Sequence, residues 1–297
     1  MTVALESRAL SKRYGRRQAL TDCELSIPAG RIAGLVGPNG AGKTTLLHLA
    51  VGLLAPTSGT IEVLGERPAC SPAQPARLGF VAQDTPTYSG LSIADHLKLG
   101  AHMNPGWDDQ LARRRISDLG LDPRQKAGKL SGGQRAQLAL TLAIAKRPEF
   151  LILDEPVASL DPLARREFLQ GLMGAAAEHE LSVLISSHLV ADLERVCDYL
   201  IVLHDSRVQL SGDVDGLLAT HRLITGRRCD TAELPPTWQV ISASHTDRQS
   251  TLLIRSSDPI EASGWTIAEI SMEDLVLAYM SNASVAPSRD RTLEVQR

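Results

Sequence analysis

No stretch of this 297-residue chain is long and apolar enough to cross a membrane as a helix. The runs Phe150–Leu153 and 200–203 fall far short of the ~20 residues such a span needs, and residues 1–10 lack the apolar centre of a secretion signal. Nor is there a surplus of one charge. With 31 Lys and Arg against 34 Asp and Glu, and no long basic run, the chain lacks the surface that holds nucleic acid or anionic lipid. Attachment to a membrane then has to go through another protein, and the chain is expected in the cytosol. Cys23, Cys70, Cys197 and Cys229 are far apart, form no C-x-x-C pair and have no histidine at metal-ligand spacing. That argues against a thiolate metal site and leaves them as free, reduced thiols. Internal repeats, heptad runs and low-complexity tracts are also missing.

What the chain has is an alternation. Short runs rich in Val, Ile and Leu at 31–36, 79–83, 150–153, 182–186 and 199–203 read as strands buried on both faces. Helical spacing at 43–54, 133–146 and 161–178 puts helices between them, so the order reads as β-α units on a mostly parallel sheet, an α/β fold. In the third of these helices Asp161 is placed to cap, Pro162 suits the first turn, and Leu169, Leu172, Met173 and Ala176 fall on one face. Residues 85–129, charged and broken by Pro and Gly, read as a helical insertion beside the sheet. Beyond Gly212 the pattern changes to β-like runs at 239–244 and 251–255 and a helix at 272–280, which Ser271 and Asp274 are set to open as a capping box. A polar tail follows from 281 to 297. The expected domains are therefore 1–212, with its helical part at about 85–131, and a small α+β domain at 213–297.

Three segments carry chemistry. Gly37-Pro38-Asn39-Gly40-Ala41-Gly42-Lys43-Thr44 fits G-x-x-x-x-G-K-S/T between an expected strand and an expected helix. Glycines there let successive N–H groups point at phosphate oxygens, Lys43 reaches the β/γ-phosphates, and the Thr44 hydroxyl is offered to Mg²⁺. The strand Phe150–Leu153 ends in Asp154 and Glu155, at the carboxyl edge where parallel sheets bind ligands. Asp154 is placed to hold Mg²⁺ and Glu155 to polarise the water that attacks a γ-phosphate. Leu130-Ser131-Gly132-Gly133-Gln134 is a second glycine-rich turn opening a helix, and one nucleotide does not need two phosphate cradles in one chain.

That last segment resembles the signature sequence of the ATP-binding cassette family, and over roughly residues 3–212 the family's other motifs occur in order. Ser131 follows Lys43 by 88 residues, Asp154 follows Ser131 by 23, and His188 follows Glu155 by 33, spacings similar to those of a compact transporter cassette. The resemblance implies a phosphate-loop cassette with a mostly parallel core, an antiparallel β subdomain and a helical subdomain, working as an ATPase on ATP and Mg²⁺. It further implies that Tyr14 stacks on adenine, that Thr45 joins the nucleotide-binding residues, and that Gln83 touches Mg²⁺ and the reaction at the start of the helical insertion. His188 looks like the family's switch histidine, and Ser159-Leu160-Asp161 like the loop that crosses between two subunits. In the family two cassettes close head to tail, so that Ser131, Gly132, Gly133 and Gln134 of one grip the ATP held by the other. A homodimer would then have two complete sites, and a heterodimer is allowed. The pore is implied to be a separate transmembrane permease subunit, with this chain peripheral on the inner face of the cell membrane. A small domain after the cassette resembles exporters of drugs, antibiotics or polysaccharides more than sugar importers. The rival is a cassette ATPase outside transport, of the translation or DNA-repair type; a single cassette, a short insertion and the absence of heptads and C-x-x-C argue against it.

Overall fold

The computed structural model describes residues 2–71, 73–228, 234–256 and 264–281. Cys229 and the expected polar tail beyond Ser281 lie outside the described residues. Contacts divide the chain into two units, Met1–Val214 and Asp215–Arg297.

The first unit begins with two long strands, β1 (Val3–Tyr14) and β2 (Arg17–Pro28), paired antiparallel; β4 (Ser58–Val63) adds to β1 in the sheet order β2-β1-β4. The main sheet has the order β5-β6-β7-β3-β8-β9, from β3 (Ile32–Val36), β5 (Leu78–Val81), β6 (Phe150–Leu153), β7 (Ser182–Ser187), β8 (Tyr199–His204) and β9 (Arg207–Asp213). All its pairings are parallel except that of β9. Every residue of β6 and β7 is buried, as central strands covered on both faces should be. Helix α1 (Lys43–Ala50) supplies Leu46, Leu47 and Leu49 to a core shared by both sheets, with Leu5, Leu20 and Ile27 from one and Phe150, Ile152 and Leu184 from the other. Each such side chain contributes roughly 1.5–3 kcal/mol of burial.

The expected helix 43–54 stops at Ala50. Gly52 takes a φ of 76°, and Leu53 N donates back to His48 O at 2.9 Å, which closes the helix in a left-handed turn. Between α2 (Gln74–Arg77) and β6 lie α3 (Ile93–Met103), α4 (Asp109–Asp118) and α5 (Gly132–Ala145). They share a core of Ile93, Leu97, Ala112, Ile116 and Leu138. Ser92 and Asp95 cap α3 in a capping box, and Asp108 caps α4. On α6 (Pro162–His179) Asp161 caps as expected, but Met173 does not join the buried face: it is 41% exposed. The buried side is Phe168, Leu169, Leu172, Ala175 and Ala176; one residue past Leu172 turns the chain about 100°, away from it. The short helix α7 (Val190–Leu193) follows β7.

The second unit begins one residue into α8 (Val214–Thr220) and contains β10 (His221–Arg227), β11 (Gln239–His245), β12 (Gln249–Arg255), β13 (Trp265–Ala268) and α9 (Met272–Ser281). Its sheet is antiparallel throughout, in the order β11-β12-β10-β13. Ile224, Leu252 and Ile254 form a core under Trp238, Val240 and Trp265. Ser271 Oγ accepts from Asp274 N at 3.1 Å ahead of α9.

Candidate active site

Four neighbouring parallel strands end together. Leu153 pairs with Val81 on one side and Ile185 on the other, and Val36 with Ser187. The residues just beyond therefore emerge at one edge: Gln83 after β5, Asp154 and Glu155 after β6, His188 after β7, and the loop 37–44 after β3. This carboxyl edge is where sheets of this kind bind ligands.

At two points the loop admits only glycine. A Cβ on Gly37 would stand 2.1 Å from the Leu203 carbonyl oxygen, and one on Gly42, at a φ of 111°, 2.4 Å from that of Ala19. Both are approaches closed to a side chain. Gly42 is also the N-cap of α1 and no side chain caps that helix, so its first N–H groups form the kind of cradle that takes an anion. Pro38, Asn39, Gly40 and Thr44 are exposed, Ala41 is buried and Thr45 is half-buried. Lys43 is 5% exposed and turns back into the loop. Its Nζ donates to Gly37 O at 2.8 Å and Pro38 O at 3.4 Å, and pairs with Glu155 Oε1 at 3.1 Å.

Glu155 is thus held from two sides. His188 Nδ1 lies 3.0 Å from its Oε2, and because a carboxylate only accepts, that nitrogen carries the proton. The Glu155 backbone has a φ of 43°, a strained region for a residue with a Cβ. What secures it is Ser186: Glu155 N donates to Ser186 Oγ at 2.8 Å, and that hydroxyl donates to Asp154 Oδ1 at 2.7 Å. Asp154 is 1% exposed. Burial pushes the Glu155 carboxyl up, but Lys43 and then His188 outweigh it, so the pKa falls below the ordinary glutamate value and the group is ionised at neutral pH. Ser186 was not singled out from the sequence. The signal was the pair Ser186 and Ser187, polar residues closing a buried strand just after its apolar centre of Val183, Leu184 and Ile185.

The remaining residues divide. Tyr14, 46% exposed, ends β1 with Lys12 Nζ 5.3 Å from its ring centre. Gln83 is exposed on a turn past β5. Ser131, Gly132, Gly133 and Gln134 lie elsewhere and serve α5: Gln134 N donates to Ser131 Oγ at 3.2 Å and Ser131 N to Gln134 Oε1 at 3.0 Å, a complete capping box. A Cβ on Gly133 would lie 2.8 Å from that of Ala164, beside Asp161, whose Oδ1 accepts from Leu163 N and Ala164 N. Among the described residues no hydrogen bond joins 131–134 to the loop 37–44. The structure brings Lys43, Asp154, Glu155 and His188 together, and sets 131–134 against the start of α6.

Known proteins resemble the chain over much of its length. Residues 20–158 match the family model described as ABC transporter. The chain is 33% identical to the ABC transporter ATP-binding protein YxlF of Bacillus subtilis, over 72% of each. It is 34% identical to the thiamine import ATP-binding protein ThiQ of Salmonella choleraesuis, over 66% of this chain and 85% of that one. With the bacitracin transport ATP-binding protein BcrA of Bacillus licheniformis the identity is 30%, over 70% and 69%. A solved ATP-binding subunit of an ABC transporter superposes with a TM-score of 0.65 at 29% identity, covering 73% of this chain and 92% of that one. A phosphate loop, an acidic strand end and relatives of these kinds lead to one conclusion: the chain belongs to the ABC transporter family, as one of its ATP-binding proteins, and is an ATPase.

Proposed function

We propose that the chain binds MgATP on the loop 37–44 and hydrolyses it with Glu155 as the base, that two copies close head to tail on two nucleotides, and that this cycle drives a separate membrane subunit in export. The observation that carries the reading is the cluster in which Glu155 takes Lys43 on one carboxylate oxygen and His188 on the other. A triphosphate competes with Glu155 for the Lys43 ammonium. Once Lys43 turns to the β/γ-phosphates, Glu155 loses a neighbouring positive charge and becomes a better base. Water then attacks the γ-phosphorus, the bond to the ADP oxygen breaks, and the water's proton passes to Glu155. His188 keeps the carboxylate aimed throughout.

The donor set suits Mg²⁺. Among the described residues no three His, Cys, Asp or Glu side chains form a metal site by themselves. Thr44 and Asp154 offer hard oxygen donors that water and phosphate would complete, with Gln83 on the neighbouring strand end. The ion would neutralise charge on the transferring phosphoryl group. Tyr14 is assigned to the adenine, and Ser131 to Gln134 with Asp161 to the nucleotide of the facing copy. Their position apart from Lys43 supports a site completed by a second subunit. No helix among the described residues is long and apolar enough to cross a membrane, so the membrane path is assigned to a partner, with this chain at the inner face. Export is favoured by the second unit, a small α+β domain that follows the cassette.

Glu155→Gln tests the chemistry. It keeps the shape and loses the basic oxygen, so the purified variant should bind MgATP and turn it over at least about a hundredfold more slowly. Turnover near that of the parent would remove Glu155 from the role of base.

A further inference from the structure

Arg17 opens β2 as the register partner of Tyr14. Cross-strand partners place their side chains on the same face of a hairpin, so Arg17 and Tyr14 project from one face. The guanidinium leans over the phosphate loop: a Cβ set on Gly40 would lie 3.4 Å from Arg17 Nη2. Gly40, at a φ of 85°, puts nothing between that nitrogen and the loop backbone. The neighbouring Lys43 is committed to Glu155 and loop carbonyls, and Arg8, Arg31 and Arg77 all have carboxylate partners. Among the described residues the Arg17 side chain takes part in no hydrogen bond or ion pair. An unmatched guanidinium thus stands over a backbone built to take phosphate, on the same hairpin face as an aromatic ring suited to a base.

We propose that Arg17 is a second cationic ligand of the nucleotide, closing on the phosphate chain from the side opposite the loop while Tyr14 holds the base. The proposal rests on the nucleotide site described above and adds a residue to it. The planar fork of five N–H donors fits two phosphate oxygens in a fixed bidentate geometry, where the Lys43 ammonium acts as a compact point charge. Arg17 should therefore act on species that carry phosphate and leave adenosine alone. Its contribution should also weaken as salt rises, since the side chain is exposed.

The test is calorimetric binding of ATP, ADP and adenosine to Arg17→Gln and Arg17→Lys, with Lys43→Ala as the reference. Arg17→Gln should weaken ATP and ADP about tenfold, the size expected for a charge-assisted hydrogen bond at an exposed position. Adenosine affinity should be unchanged, Arg17→Lys should recover part of the loss, and the melting temperature without nucleotide should stay that of the parent. ATP binding by Arg17→Gln within twofold of the parent overturns the proposal. So does an equal loss for ATP and adenosine, which would place Arg17 with the base or the hairpin. If Lys43→Ala binds ATP as the parent does, the phosphate-loop reading itself fails, and Arg17 falls with it.

Discussion

The loop 37–44 and the turn 131–134 look alike on paper: each is rich in glycine, follows an irregular or extended stretch and opens a helix. In the structure they behave in opposite ways. The phosphate loop leaves the first N–H groups of α1 without a side-chain cap and buries a charge, Lys43, beside them. At 131–134 the chain satisfies itself through a full capping box, and its side chains carry no charge. The glycines differ too. Gly37 and Gly42 sit against backbone carbonyl oxygens that no Cβ could approach, whereas a Cβ on Gly132 would meet Leu160 at 3.8 Å and one on Gly133 the Ala164 methyl at 2.8 Å, side chains rather than backbone. The first turn leaves its helix donors open; the second is a self-satisfied helix start with a small, uncharged surface.

The largest effect expected from this contrast is at Gly42. Gly42→Ala forces a Cβ into the Ala19 carbonyl at a φ of 111°. Strain of about 1–3 kcal/mol and loss of ATP binding should follow. Gly132→Ala, at the first position of α5, should melt within about 1 kcal/mol of the parent. If both variants bind ATP equally well, the two turns are not different in kind. Calorimetry and thermal melting decide it.

A smaller effect concerns pH. The Glu155 carboxyl is lowered in the fold, so the stability it contributes is present above its unfolded value and is lost as pH falls through its folded value. Glu155→Gln should therefore flatten the fall in stability on the acid side of the ordinary glutamate value. Ser131→Ala should lower the whole profile without changing its shape, by about 1 kcal/mol for a lost N-cap. That is the smallest of the expected effects, and melting curves from pH 3 to pH 7 would resolve it. A flattened acid limb in Ser131→Ala, with an unchanged one in Glu155→Gln, would reverse the assignment.

Much of this was legible in the sequence because the chemistry rests on local spacing. Residues 37–44 must be contiguous to curl around phosphate, and Asp154 with Glu155 must end a strand. Ser186 and Arg17 were not legible, since each acquires its meaning from a neighbouring strand: Ser186 from the pairing of β6 with β7, Arg17 from the hairpin that sets it over Gly40. The antiparallel sheet was implied only by resemblance. Register shifts between Ser7 and Leu10 and between Leu10 and Lys12 break the two-residue alternation that would have announced β1. Met173 was misplaced for a related reason, as apolar character alone does not say which residue at the margin of a helix face is covered.

The central claim is that the two turns serve one nucleotide from two copies of the chain, and mixing tests it directly. Lys43→Ala spoils the phosphate loop, and Ser131→Arg puts a bulky cation on the facing turn; each variant alone should be inactive. A heterodimer of the two has one site in which both turns are undamaged. ATPase activity should reappear in the mixture, in proportion to the heterodimer present. A mixture that forms heterodimers and stays as inactive as its components would contradict the shared site.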